Sequence, residues 1–128
     1  MDVDWDALRA AAVDAATHGY APYSGLQVGA AAITDRGTIV SGCNVENASY
    51  GLGLCAECGL VGNLHLSAAS SLVALACRSA TDQPLMPCGR CRQLLHEAGG
   101  PGLLIDSADG PLPLAELLPR AFGPTDLP

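Results

Sequence analysis

The chain has 128 residues, which fits one domain of ordinary size and leaves no room for a second. Hydrophobic residues make up 49% and aromatics only 4%, so the core must be built from Ala, Val, Leu and Ile. The net charge of −7, with Arg as the only basic residue type, offers no positive stripe for a nucleic-acid backbone and leaves small molecules as the expected partners.

The start is acidic (Asp2, Asp4, Asp6) and lacks the basic-then-apolar pattern of a secretory leader. No apolar run is long enough for a membrane span. A cytoplasmic location is therefore expected. Six cysteines in a reducing compartment point to metal binding or catalysis before disulfides.

Trp5, Leu8, Ala12 and Ala15 recur at helical spacing, and Gly19 stops that helix. Residues 26–34 and 38–45 read as two strands joined by a hairpin turn at Asp35-Arg36-Gly37. A Gly-rich loop over 47–54 leads into a helix near 55–69, followed by a buried strand over 71–79. A second helix near 88–98 ends at Gly99-Gly100, and 102–107 forms another strand. A short helix near 114–118 stops before Pro119. This order predicts an α/β fold whose mixed sheet opens with an antiparallel hairpin and carries packed helices. Residues 1–123 are expected to form the single domain, and 124–128 a loose tail.

The cysteines carry the chemistry. Cys55 begins one predicted helix, and Cys88 and Cys91 begin another. A C-x-x-C pair bends readily around one tetrahedral zinc, and Cys55 makes a third ligand, so one position stays open as in catalytic sites. Helix N-termini favour the negative charge that three thiolates bring. Taken alone, C-x-x-C also fits a structural zinc knuckle or core cysteines. Glu57 is the only charged residue between Asn47 and Cys77, two positions after Cys55, where a general acid/base could face a metal-bound water. The other reading of Glu57 is a solvated carboxylate in the first helical turn. Asn44 and Glu46, two apart at a strand end, share a face and suit a hydroxyl group. Without more, Asn-x-Glu before a loop reads as an ordinary capping or turn pair.

Cys55-Ala56-Glu57 with Pro87-Cys88-Gly89-Arg90-Cys91, continuing as Arg92-Gln93, carries the signature of the zinc deaminases. Around it stand Pro22-Tyr23-Ser24, Val28-Gly29-Ala30-Ala31, Gly42-Cys43-Asn44-Val45-Glu46-Asn47 and Leu117-Leu118-Pro119-Arg120-Ala121-Phe122. In these motifs the chain resembles the small homotetrameric zinc-dependent cytidine deaminases, especially those of actinobacteria. The resemblance implies a cytidine deaminase-like three-layer α/β/α fold with helices on both sheet faces. It implies one Zn²⁺ per subunit on Cys55, Cys88 and Cys91. The implied reaction, in pyrimidine salvage, is hydrolysis of cytidine and deoxycytidine to uridine and deoxyuridine plus ammonia. In it, Glu57 takes the proton of the zinc-bound water and delivers it to ring nitrogen 3, the hydroxide attacks ring carbon 4, and Glu57 then helps proton transfer to the leaving amine. By the same likeness the Ala56 backbone and Glu57 hold the pyrimidine edge, and Asn44 and Glu46 bind the sugar 3′-hydroxyl. Ala48, Tyr50 and Phe122 match positions that neighbouring subunits contribute to each pocket. Tyr50 would equally serve as an interface or core residue, and Phe122 as a C-terminal anchor.

Two departures stand out. Leu26 replaces the Phe of many relatives and can pack on the nucleoside but not stack. Cys58 replaces an Arg that offsets thiolate charge, so that charge must be balanced elsewhere, with Arg90, Arg92 and the helix ends as candidates. Cys58 could also act as a fourth ligand, which would close the site. Cys43 and Cys77 are expected as small core residues, and His18, His65 and His96 at helix surfaces or ends. The alternatives to the deaminase are a blasticidin S deaminase-like aminohydrolase, which shares both cysteine motifs, and a structural zinc module.

Overall fold

The computed structural model describes residues 2–128. Helix α1, Trp5–Ala16, starts where the Asp4 carboxylate accepts the Ala7 N–H at 3.0 Å, which satisfies one of the free donors of the first turn. The hairpin follows as β1, Val28–Thr34, and β2, Ile39–Cys43. Its turn closes at Gly37 with φ 77°, a backbone region that suits glycine. Then come α2, Ala56–Leu66, β3, Leu72–Ser79, and α3, Gly89–Gly99. The chain ends with β4, Leu104–Ile105, β5, Leu112–Pro113, and α4, Leu114–Leu117.

The strands lie in the order β2-β1-β3-β4-β5. β1 pairs antiparallel with both β2 and β3, β3 pairs parallel with β4, and β4 pairs antiparallel with β5. The sheet is thus mixed and opens with the antiparallel hairpin, as expected. Alternation along β1 splits its small residues between two faces. Ala31 joins Leu8, Ala12, Ala74 and Ala76 on one side, under α1. Ala30 and Ala32 join Leu60, Leu64, Leu75, Leu95 and Leu103 on the other, under α2 and α3.

Small residues let the layers close up. A Cβ at Gly29 would run into the α1 backbone at Ala12 and Ala16. One at Gly42 would run into the α2 backbone at Ala56 and Leu60. The second contact presses the first turn of α2 against the end of β2, and the Asn63 side chain ties the same helix to the Ser41 carbonyl at 2.8 Å.

Some boundaries differ from the sequence reading for local reasons. α2 stops at Leu66, where the Ser67 hydroxyl caps the Leu64 carbonyl. The strand expected over 102–107 pairs only at Leu104 and Ile105, because the chain turns back through 107–110 into β5. β5 is too short to show a period. The 47–54 loop contains a 3-10 turn, Tyr50–Leu52. Pro124–Asp126 forms another, closed by the Gly123 N–H on the Asp126 carboxylate. Cys43, expected in the core, is half-buried at the end of β2, whereas Cys77 is buried in β3. His18 and His65 are exposed, and His96 is half-buried in the last turn of α3.

Asp106, just after β4, accepts from Arg9 of α1 at 3.1 and 2.8 Å and from Arg78 of β3 at 3.0 Å. This buried carboxylate staples the outer helix to the sheet. No helix among the described residues is long and apolar enough to cross a membrane.

Candidate active site

Cys55 and Cys88 occupy the N-cap positions of α2 and α3, and neither side chain caps its own helix. Their sulfurs turn toward each other instead, 3.7 Å apart. Cys91, in the first turn of α3, completes a trio whose sulfurs all lie within 4.8 Å of one another. Two helix N-termini therefore converge on one sulfur cluster, where unpaired N–H groups favour negative charge. The Cys91 N–H on the Cys88 sulfur pulls the Cys88 pKa down, whereas burial pushes Cys55 and Cys91 up. A coordinated cation is the partner that brings buried thiols into the thiolate form.

Cys58 is not part of the trio. Its sulfur instead accepts the Arg90 guanidinium at 3.3 Å. Arg92, the other candidate for balancing thiolate charge, is turned away. Its guanidinium donates to the carbonyls of Pro87 at 2.9 Å and Leu117 at 3.0 Å, bracing the approach to Cys88 against α4.

Glu57 points inward from the first turn of α2. It is 2% exposed, and its Oε1 has no hydrogen-bond partner among the described residues. A buried carboxylate left this way is costly unless it serves a bound molecule. It lines a cleft of about 440 Å³ together with Cys55, Ala56, Cys88, Leu26, Asn44 and Glu46. That size suits a small-molecule site. The three sulfurs and the carboxylate beside them fit a metal with one position left for solvent.

Asn44 and Glu46 both reach the cleft wall, as their spacing requires, and both also hold the 20–28 segment in place. Asn44 Oδ1 accepts the Val28 N–H at 2.9 Å, and its Nδ2 donates to the Leu26 carbonyl at 2.8 Å. Glu46 accepts the N–H groups of Tyr23 at 3.0 Å and Ser24 at 3.1 Å, and the Ser24 hydroxyl. The Ser24 hydroxyl, together with those N–H groups, holds the Glu46 pKa below the usual carboxylate value. Leu26 is half-exposed at the mouth. Tyr50, 82% exposed, lies in an adjoining hollow with Tyr23, Ser24 and Asn47. Ala48 and Phe122 do not line this chain's own cleft, and both are exposed. The Phe122 carbonyl accepts from Gln93 at 2.7 Å.

Sequence reading missed Ser24 as a partner of Glu46, and Leu85, Met86 and Leu54 as apolar walls. It also missed that Cys77, a core residue as expected, borders the cleft beside Glu57. The signal for Ser24 was its hydroxyl just before a glycine turn; nothing in spacing alone marked Cys77.

Residues 4–105 match the family described as the cytidine and deoxycytidylate deaminase zinc-binding region. The chain belongs to this deaminase family. It is 57% identical to the cytidine deaminase of Mycobacterium tuberculosis over 99% of this chain and 96% of that protein. A crystal structure of a mutant of that enzyme superposes with a TM-score of 0.96, covering 98% of this chain and all of the other. The cytidine deaminase of Burkholderia pseudomallei, 39% identical, reaches 0.84 over 94% of this chain and 100% of that one. Family membership makes the three-cysteine cluster a zinc site, one per chain, and the deaminase fold the three-layer α/β/α arrangement described above. These relatives weigh against the blasticidin S deaminase reading. A deaminase site also leaves no place for a purely structural zinc module.

Proposed function

We propose that this chain hydrolyses the exocyclic amine of cytidine and deoxycytidine, releasing ammonia and the uracil nucleoside, as a step of pyrimidine salvage. The observation that carries this reading is the buried Glu57 carboxylate, with an unpartnered oxygen, beside three convergent thiols at the base of a nucleoside-sized cleft. Cys55, Cys88 and Cys91 would hold the zinc, which when bound would supply the Lewis acidity that makes a water acidic near neutral pH. Glu57 takes one proton from the water and delivers it to ring nitrogen 3 as the water oxygen bonds to ring carbon 4, then carries the second proton of that oxygen to the amine, whose bond to carbon 4 breaks to release ammonia. The Ala56 backbone and Glu57 hold the pyrimidine edge. Asn44 and Glu46, pre-set by their bonds to the 20–28 segment, receive the sugar 3′-hydroxyl, and Leu26 packs on the nucleoside.

The working enzyme is a homotetramer in this reading, with Ala48, Tyr50 and Phe122 completing neighbouring pockets. What supports it is the exposure of those residues together with Tyr20, Tyr23, Leu52 and Leu54, large apolar side chains left open on the surface. A cytoplasmic location fits six free cysteines.

No basic residue among the described residues lines the cleft, and Glu46 adds negative charge, so a substrate phosphate meets no partner there. Ultraviolet assays with cytidine, deoxycytidine, their monophosphates and blasticidin S test the reading. Turnover of both nucleosides, with the monophosphates and blasticidin S slower by at least tenfold, is the expected result. Preferential turnover of a monophosphate or of blasticidin S, or none of cytidine, would overturn it.

A further inference from the structure

Arg90 sits in the first turn of α3 (Gly89–Gly99), which carries no acidic residue. A cation there opposes the positive end of the helix dipole, so the position needs an anionic neighbour to make sense. No carboxylate among the described residues supplies one: the ion pairs found use Arg9 and Arg78. Its side chain instead spans from α3 to α2. Nη2 donates to the Cys58 sulfur at 3.3 Å and to the Gly53 carbonyl at 3.5 Å. Arg90 lies between Cys88 and Cys91 in the first turn of α3, and Cys58 lies one turn after Cys55 on α2, so the guanidinium bridges the two helix ends that carry the sulfur trio. Zinc on three thiolates carries a surplus of one negative charge, and a permanently charged guanidinium beside it cancels that surplus.

We propose that Arg90 is the charge-balancing residue of the three-cysteine site, held in place by Cys58 and the Gly53 carbonyl. It is a positioning residue: it touches no reacting atom and acts on how firmly the thiolates keep their metal. Cys58 is its docking point, and the uncharged side chain at 58 leaves room for a cation arriving from the opposite helix. The inference rests on the zinc site and not on which nucleoside is deaminated.

The test is zinc affinity, measured by competition with a chromogenic chelator, for the parent, Arg90→Ala, Arg90→Lys and the double variant Arg90→Ala/Cys58→Arg. Groups around a metal site commonly change its affinity by about 10–100-fold when removed. Arg90→Ala is expected to lose about tenfold, Arg90→Lys to retain most of the affinity, and the double variant to recover it by supplying the cation from α2. Thermal unfolding of the metal-free forms should be the same for parent and Arg90→Ala, since Arg90 is exposed. An Arg90→Ala affinity within twofold of the parent would overturn the proposal, as would a Lys variant as weak as the Ala variant. A parent that binds no zinc would overturn the proposed function as well, so the two failures are distinguishable.

Discussion

Glu57→Gln is expected to keep its zinc and its fold while losing about 10²–10⁴-fold in kcat, the usual contribution of a positioned proton-transfer group. Gln has the same shape, so packing against the α2 turn is undisturbed. Its neutral amide is also easier to bury than a carboxylate, so the variant should unfold at the parent's temperature or above it. What the amide cannot do is accept a proton from water and hand it to a ring nitrogen. The other carboxylate on the cleft wall, Glu46, is already engaged by the Tyr23 and Ser24 N–H groups and the Ser24 hydroxyl. The comparison requires three readings on one preparation: metal content, melting temperature and initial rate with cytidine. Turnover within tenfold of the parent at full zinc content would remove Glu57 from the chemistry.

Asp106→Ala is expected to cost about 3–5 kcal/mol of stability, the usual penalty for removing one member of a buried ion pair. Asp106 is 2% exposed and Arg78 12%, so the substitution leaves a largely buried guanidinium with only the exposed Asp82 carboxylate, at 3.2 Å, as counter-charge. Arg9, about a third exposed, can turn to solvent, and Arg9→Ala should cost distinctly less. Denaturant unfolding with the metal state held constant reads both. The same network shapes the acid limb of stability. Burial pushes the Asp106 pKa up, but the bonds from Arg9 and Arg78 more than reverse this and leave it below the usual value. Its contribution is therefore complete above the unfolded-chain value of about 3.9 and is lost as pH falls through the lower folded value. Asp35 and Glu46 are shifted the same way, Asp35 by the Ser70 and Ser71 N–H groups and Glu46 chiefly by Ser24. Asp106→Ala should flatten the loss of stability below about pH 4 without abolishing it.

The zinc ligands and Glu57 were legible because their chemistry is local. A C-x-x-C at a helix start and a lone carboxylate two positions after a third cysteine each leave a short-range pattern. The mixed sheet with its opening hairpin was legible for a similar reason, since the turn at Gly37 fixes that pairing, whereas the strand order and the two-residue β5 were not. Contacts across the chain were not. Asn44 and Glu46 were placed on one face by spacing. That they clamp Leu26, Val28, Tyr23 and Ser24 depends on a loop whose path carries no period. Arg90 and Arg92 looked equivalent in sequence. Two helical positions apart they point about 200° away from each other around the axis, so one meets the sulfurs and the other the Pro87 and Leu117 carbonyls. Cys77 gave only the signal of a buried strand, and its place beside Glu57 appears only once the folded sheet brings β3 to the cleft that Glu57 lines.

The central claim is a metal held by three sulfurs with solvent in the remaining position. X-ray absorption at the zinc edge of the purified protein measures that directly. The account predicts one zinc per chain with three sulfurs at about 2.3 Å and one lighter oxygen neighbour at about 2.0 Å. Four sulfurs around the ion, with Cys58 as the fourth, or a protein that holds no zinc, would contradict it.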